Sequence, residues 1–135
     1  MSLTSDEISL ILNTTEFLVS ATRTQHVVPT IALRIVSKKT DRVVAYSSDT
    51  EKCDAVVELS RGAHLLLHEA TTLDRATVGH SSARQAGSQA QHASVKTLVL
   101  VHLPPDCTDQ KLSAAAAKNF DGKVVVGKDF QRFGF

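Results

Sequence analysis

The chain has 135 residues, 42% of them hydrophobic, and a formal net charge of +1 at pH 7. This composition is ordinary for a folded globular domain, and the near-neutral charge gives no broad electrostatic basis for binding nucleic acid or acidic membranes. Apolar runs such as Leu98 to Val101 are short, whereas a membrane span needs about 20 residues, so the sequence excludes a membrane-spanning helix.

Strand patterns dominate the first third of the chain. A short strand is predicted over Glu7 to Leu12, and a longer one, rich in β-branched residues, over Phe17 to Thr24. Residues Ile31 to Val36 alternate between two sets of side chains, which predicts a strand with two distinct faces. Asp41 to Tyr46 is predicted as its hairpin partner, because the Lys38 to Asp41 segment is polar and turn-like.

Helices and strands alternate after Tyr46. A helix is predicted from about Lys52 to Ser60, with Gly62 just beyond its end. This order predicts an α+β fold, a mixed sheet with helices on one face, and we expect the chain to be too short to cover the second face alone. The remaining predicted elements are the strand His64 to Glu69, the loop Thr71 to Gly79, a helix capped by Ser81 or Ser82 and running to about His92, the strand Lys96 to Val101, the helix Asp109 to Phe120 and the strand Lys123 to Lys128.

Polar residues stand where four of the predicted strands end. They are His26, Asp49, Glu69 and His102. Residues just beyond strand ends meet at one edge of a layered sheet, where sites are built, and histidines with carboxylates suit zinc or a similar divalent ion. Each residue alone also has a structural explanation. The histidines could be ordinary surface or core residues, Asp49 could cap the following helix, and Glu69 could be held by a backbone amide.

Five short motifs occur in an order that resembles the C-terminal half of ribonuclease Z and its relatives in the metallo-β-lactamase superfamily. The resemblance runs from about Phe17 to Asp129 and implies that the chain is the C-terminal half of an αββα sandwich, a partial domain over residues 1–135. The motifs are Gln25-His26-Val27-Val28-Pro29, Tyr46-Ser47-Ser48-Asp49-Thr50, His68-Glu69-Ala70-Thr71, Gly79-His80-Ser81-Ser82 and Leu100-Val101-His102-Leu103.

The resemblance implies roles for five residues. His26 would bind one divalent metal ion, His102 would bind a second, and Asp49 would bridge the two through its carboxylate. Glu69 and His80 would form a pair that delivers a proton to the leaving oxygen. The ions are expected to be zinc, and the reaction to be hydrolysis of a phosphodiester or related ester.

Two departures from the family pattern qualify this expectation. The H-x-H-x-D-H motif, which supplies most metal ligands and the expected base, does not occur in the chain. We therefore expect an excised or truncated portion that is inactive and metal-free by itself. In addition, only Val27 to Ser48 separates two of the motifs, where ribonuclease Z proper usually has a substrate-gripping arm.

Several alternatives remain open at this level. The parent protein could be a tRNA 3′-processing endonuclease, although the net charge of this chain does not favour RNA. Alternatively, the chain could be a non-catalytic half-domain that serves as an assembly module. The expected partner is the N-terminal half of the same domain, and homo-oligomers are a further possibility.

Other residues receive structural explanations. Cys53 and Cys107 are far apart and resemble the reduced thiols of a cytoplasmic protein, and Met1 to Asp6 lacks the features of a signal peptide. His64 and His92 are expected to be structural, and no chemistry is assigned to His68 or Cys107.

Overall fold

A computed structural model describes residues 7–135, within which seven strands form a single sheet with three helices. The spatial order of the strands is their chain order, β1 to β7. None of the three helices is long and apolar enough to cross a membrane. The elements are β1 Ser9–Asn13, β2 Phe17–Arg23, β3 Ile31–Ser37, β4 Val43–Tyr46, α1 Asp54–Ser60, β5 Leu65–Glu69, α2 Ala83–His92, β6 Thr97–Val101, α3 Asp109–Ala117 and β7 Lys123–Val126.

The sheet is mixed. Strands β1 to β4 form an antiparallel meander, and β4 to β7 are parallel. One helix connects each parallel pair, and because such crossovers share one hand the three helices lie on the same face. Helix α2 packs between α1 and α3. The predicted α+β fold, with a mixed sheet and helices on one face, is confirmed.

Element ends differ from the predictions by one to three residues. Helix α1 begins at Asp54 instead of Lys52, because the preceding Cys53 has extended backbone geometry and occupies the N-cap position. Helix α2 begins after Ser82, whose hydroxyl accepts a hydrogen bond from the Gln85 amide while the Gln85 side chain accepts one from Ser82 N–H. This reciprocal pair is a capping box, which fixes the start of the helix.

The main core lies between the helices and one face of the sheet. Alternate residues of β3 to β7 point into it, as the period of two requires. The Arg34 guanidinium, on this face of β3, donates hydrogen bonds of 2.9 Å to the carbonyls of Leu59 and Arg61 at the end of α1. A cation suits this position because the helix C-terminus carries partial negative charge. Buried members of the main core include Val43, Ala45, Leu66, Leu98, Leu100, Leu112 and Val126.

The opposite sheet face is only partly covered. The segment after β7 lies against β5 to β7, where the Phe135 ring stacks near His64 with centroids 6.4 Å apart. Over β1 to β4, strand register places a row of large apolar side chains on the same face. These side chains are half-buried or exposed, whereas Ala21 on this face is buried. We call this apolar surface the open face. It comprises Leu12, Phe17, Val19, Ile31, Leu33, Ile35, Val44 and Tyr46.

Gly87 lets helices α2 and α3 approach closely. A Cβ at this position would lie 2.1 Å from the Ala116 carbonyl oxygen, which is backbone and cannot move alone. Gly87→Ala should therefore destabilise the fold by about 2–3 kcal/mol, since overpacking outweighs the gain of up to roughly 1 kcal/mol in helix propensity. Urea unfolding measures the change. Gly134→Ala, which meets no atom within 4 Å, is the matched control, and equal stability of the two variants would contradict the prediction.

Candidate metal centre

The five predicted site residues lie together at one edge of the sheet. The Asp49 carboxylate stands between two imidazoles. Its Oδ1 is 3.0 Å from His102 Nδ1, and its Oδ2 is 3.9 Å from His26 Nε2. The His80 ring lies among them, with its centroid 4.9 Å from that of His26 and 5.4 Å from that of His102. Glu69 contacts His80 from below, with Oε1 2.9 Å from His80 Nδ1.

Strand geometry explains this gathering. Asp49, Glu69 and His102 follow or end β4, β5 and β6, which are parallel neighbours in the sheet. The carboxyl ends of parallel strands share one edge, so residues 20 or more positions apart in sequence become neighbours in space. Ser48 and His102 both have left-handed backbone, with φ of 52°. Such residues are uncommon outside glycine and concentrate at functional sites.

The structure excludes the alternative explanation that Asp49 caps the following helix. The N-cap of α1 is Cys53, so Asp49 does not cap this helix. Its carboxylate is instead 37% exposed and directed toward the histidines. A carboxylate that stabilises no secondary structure and faces two imidazoles is well placed to bind a cation.

Glu69 is a buried carboxylate whose oxygens are fully occupied. Its side chain is 1% exposed. Oε1 accepts hydrogen bonds from the Thr50 amide at 2.9 Å and from His80, and Oε2 accepts from the Thr71 amide at 3.2 Å and the Thr71 hydroxyl at 2.7 Å. Buried carboxylates require such donors. The set fixes the Glu69 side chain, and with it the orientation of His80.

The His26 ring is fixed by a backbone carbonyl. Nδ1 lies 2.6 Å from the Gly79 oxygen. Because a carbonyl only accepts hydrogen bonds, Nδ1 carries the proton and donates it to this bond. In the neutral ring, Nε2 is then left with a free lone pair on the Asp49 side, the arrangement that metal-binding histidines require.

Several donor atoms lie close enough together to suit a divalent ion, although hydrogen bonds already occupy the Glu69 oxygens. One ligand atom from each of Asp49, Glu69, His80 and His102 lies within 4.8 Å of the other three. Imidazole nitrogens and carboxylate oxygens are the ligands that zinc and similar ions prefer. His26 approaches the same carboxylate from the other side, so the ligand types and spacing suit one or two ions around Asp49.

The neighbouring His68 has a structural role. It is fully buried, and burial lowers the pKa of its imidazole below the usual value. Nδ1 donates to the Glu69 carbonyl at 2.8 Å, and Nε2 accepts from the Gln89 side-chain amide at 2.9 Å. Gln89 Oε1 in turn accepts from the Cys53 amide at 3.3 Å. This chain ties β5 to α2 and to the start of α1, and it leaves His68 no free nitrogen for chemistry.

Residues that received structural explanations from the sequence lie away from the site. His64 Nδ1 accepts a hydrogen bond from the Val43 amide at 3.2 Å, and His92 Nδ1 donates to the Ser88 carbonyl at 2.7 Å within α2. Cys107 is partly buried against the main core. None of the three belongs to the metal-ligand group found among residues 7–135.

Sequence reasoning missed three residues that support the site. Thr71 contacts Glu69 and lies 3.3 Å from His80 Nδ1 and 3.4 Å from His102 Nδ1 through its hydroxyl. Its presence in the His68-Glu69-Ala70-Thr71 motif was the available signal. Gln89 and Glu51 carried none, because each acts through a contact with a residue distant in sequence.

Comparisons with known proteins agree with this geometry. Residues 3–103 match the family model described as "Beta-lactamase superfamily domain". A curated relative, the ribonuclease Z of Mycobacterium bovis, is 34% identical over 128 residues, which is 84% of this chain and 45% of that protein. An uncharacterized protein of Mycobacterium leprae is 39% identical over 111 residues, 78% of this chain and 39% of that protein.

Solved structures show the same fold. The metallo-β-lactamase fold protein YhfI of Bacillus subtilis has a TM-score of 0.78 at 26% identity, covering 95% of this chain and 52% of that one. The short form of human tRNase Z has a TM-score of 0.71 at 29% identity, covering 93% of this chain and 46% of that one. The chain spans about half the length of the proteins it matches. The motif order, the mixed sheet and these matches together lead to one conclusion: the chain belongs to the metallo-β-lactamase superfamily, in its ribonuclease Z-like branch.

Proposed function

We propose that this chain is part of a metal-dependent hydrolase that uses two divalent ions and acts on phosphodiesters or related esters. The observation that carries the proposal is the Asp49 carboxylate, which offers one oxygen toward His26 and the other toward His102. A carboxylate between two separate imidazoles suits a bridging ligand. The ribonuclease Z relatives support the choice of a phosphodiester.

In the proposed assignment, His26 would hold one ion, His102 would hold the other and Asp49 would supply a ligand to each. Zinc is the expected metal, because the ligands are imidazole and carboxylate. When bound, two such ions supply charge stabilisation to the attacked centre and lower the pKa of water. The contribution of this chain is to fix the ligands. Gly79 orients His26, and the β4 and β6 ends hold Asp49 and His102.

Glu69 and His80 are the proposed proton-delivery pair. Glu69 accepts a hydrogen bond from His80 Nδ1, which directs Nε2 away from the carboxylate. The His80 side chain is 22% exposed, whereas that of Glu69 is 1% exposed, so only the histidine can reach a substrate. A positioned imidazole can protonate an expelled alkoxide, and the buried carboxylate stabilises its protonated form.

We also propose that the active unit contains a first half of the domain, supplied by another segment that packs on the open face. An apolar sheet surface of this kind normally lies against a second layer. Tyr46 and Phe17 on this surface are 40% and 43% exposed, which supports an interface here. The isolated chain would then be inactive, since the residues for a complete set of metal ligands come from both halves.

The choice of substrate rests on the segment between two motifs. Residues Val27 to Ser48 contain only the β3–β4 hairpin, joined by a tight turn in which the Asp41 amide donates to the Ser37 carbonyl. No arm that could grip a folded RNA is present in this stretch. This observation favours a small phosphodiester over tRNA. The runner-up, tRNA 3′-end processing, is supported by the ribonuclease Z relatives, and cleavage of precursor tRNA by the assembled protein would select it.

A cytoplasmic location is part of the proposal. Cys53 is buried, Cys107 is partly buried, and neither thiol forms a disulfide. Reducing compartments keep thiols in this state.

Zinc titration of the isolated chain tests the two-ion assignment. We expect metal-free protein or weak binding, with dissociation constants well above those of a complete site, because His26 and His102 serve different ions and only Asp49 reaches both. Three ligands to one ion would be a normal catalytic site, but three ligands shared between two ions are not. Isothermal titration calorimetry measures the affinity and the stoichiometry.

Asp49→Ala is expected to remove the residual binding, and Asp54→Ala, an exposed carboxylate on α1, serves as the control. Tight one-to-one binding by the isolated chain, lost in His26→Ala, would show that the three residues form one complete site. The two-ion assignment would then be wrong.

A further inference from the structure

Glu51 joins the loops that carry two of the predicted site residues. Its backbone N–H donates to the Gln25 carbonyl at 2.7 Å, directly before His26. Its side-chain Oε1 accepts from the Gly79 amide at 2.9 Å, directly before His80. One residue therefore holds both loops in place, across sequence separations of 26 and 28 positions.

Gly79 links Glu51 to the His26 ring. The Gly79 amide donates to Glu51, and the Gly79 carbonyl accepts from His26 Nδ1 at 2.6 Å. The residue has φ of +78°, and an added Cβ would lie 3.0 Å from His26 Nδ1. Glycine is needed here both for this backbone conformation and for the space beside the ring. The orientation of one glycine thus sets the orientation of the imidazole.

We infer that Glu51 is a positioning residue, which fixes the ring orientation and proton position of His26 through Gly79. The inference rests on the proposed function only where it assigns a metal to His26. Hydrogen bonds of this kind orient metal-binding histidines, and losing them typically costs roughly 10–100-fold in metal affinity.

Glu51 positions Gly79 through its acceptor oxygen and not through its charge. Among residues 7–135, no ion pair within 4.0 Å includes the Glu51 carboxylate. Glutamine keeps an oxygen at the same place and can still accept from the Gly79 amide. Glu51→Gln should therefore preserve the arrangement, and Glu51→Ala should lose it.

Nuclear magnetic resonance of the metal-free chain tests the inference without reference to activity. The ring nitrogen shifts of His26 report which nitrogen carries the proton, and hydrogen exchange reports protection of the Gly79 amide. In Glu51→Ala we expect faster exchange at Gly79, by about tenfold or more, and a mixture of proton positions on His26. Glu51→Gln should match the original chain, as should the control Glu16→Ala, an exposed residue at the opposite end of β2.

Unchanged His26 shifts and Gly79 exchange in Glu51→Ala would overturn the inference, as would equal losses in Glu51→Gln. If Glu51→Ala fails to fold, Glu51→Asp takes its place, because it keeps the charge but withdraws the acceptor oxygen from the Gly79 amide. Altered His26 shifts in Glu51→Asp, with Glu51→Gln unaffected, support the inference, and unaltered shifts in Glu51→Asp reject it. Zinc affinity of the same variants separates the two proposals. One outcome is that Glu51→Ala alters the His26 shifts while His26→Ala leaves the zinc affinity unchanged. That outcome would uphold the positioning by Glu51 and reject the metal role of His26.

Discussion

Replacing Asp49 by alanine is expected to remove essentially all hydrolase activity from the assembled protein, a loss of about 10³-fold or more. The Asp49 carboxylate lies between His26 and His102, with one oxygen toward each. Its removal takes a ligand from each proposed ion at once. If the proposed activity depends on both ions, the loss should exceed that caused by losing either histidine.

The experiment joins this chain to a first half of the domain that carries H-x-H-x-D-H, and follows hydrolysis of bis(p-nitrophenyl) phosphate. Metal content is measured alongside, and Asp54→Ala on the exposed surface of α1 provides the control. The chain alone should show background turnover. Robust turnover by the isolated chain that Asp49→Ala abolishes would mean that this half suffices, and the proposed need for a first half would be wrong.

His80→Ala should lower turnover by about 10²–10⁴-fold, but only for substrates with poor leaving groups. An expelled ribose alkoxide needs a proton, whereas p-nitrophenolate is stable without one. His80 is the member of the Glu69–His80 pair that reaches solvent, since Glu69 is 1% exposed. A diribonucleotide should therefore show the full loss, and bis(p-nitrophenyl) phosphate a much smaller one.

Glu69→Gln tests the second member of the pair. The glutamine keeps the shape of the buried side chain and removes the charge that stabilises protonated His80. Its amide nitrogen cannot accept the hydrogen bonds that one carboxylate oxygen accepts, so the stability of the variant is measured alongside its turnover. We expect a smaller loss than in His80→Ala, with the same dependence on the leaving group. Equal losses on both substrates would show that the pair supports metal binding or folding, and not proton delivery.

Local patterns in the sequence determined most of the fold. The alternation over Ile31 to Val36 predicted a two-faced strand, and β3 has Ala32 and Arg34 toward the helices and Leu33 and Ile35 on the open face. Ser82 was one of two predicted caps of α2, and it forms the capping box. The strand faces and the helix cap depend on residues only a few positions apart, so they can be predicted from a single sequence.

Helix ends were less well determined. The prediction extended α3 to Phe120, whereas the helix ends at Ala117. The Phe120 side chain is buried in the main core, so its apolar character reflects packing and not helical periodicity. The pattern of apolar residues in the sequence does not show whether an apolar residue continues a helix or packs into the core after the helix has ended.

Strand-end positions in the sequence predicted that His26, Asp49, Glu69 and His102 meet at one edge of the sheet, and the family resemblance added His80. The sequence could not determine how they are held. The contact of Glu51 with Gly79 spans 28 positions, and that of His68 with Gln89 spans 21. No local preference of the backbone encodes such pairs. They exist only once the parallel sheet has set the loops side by side, so the tertiary structure alone decided which residues orient the proposed ligands.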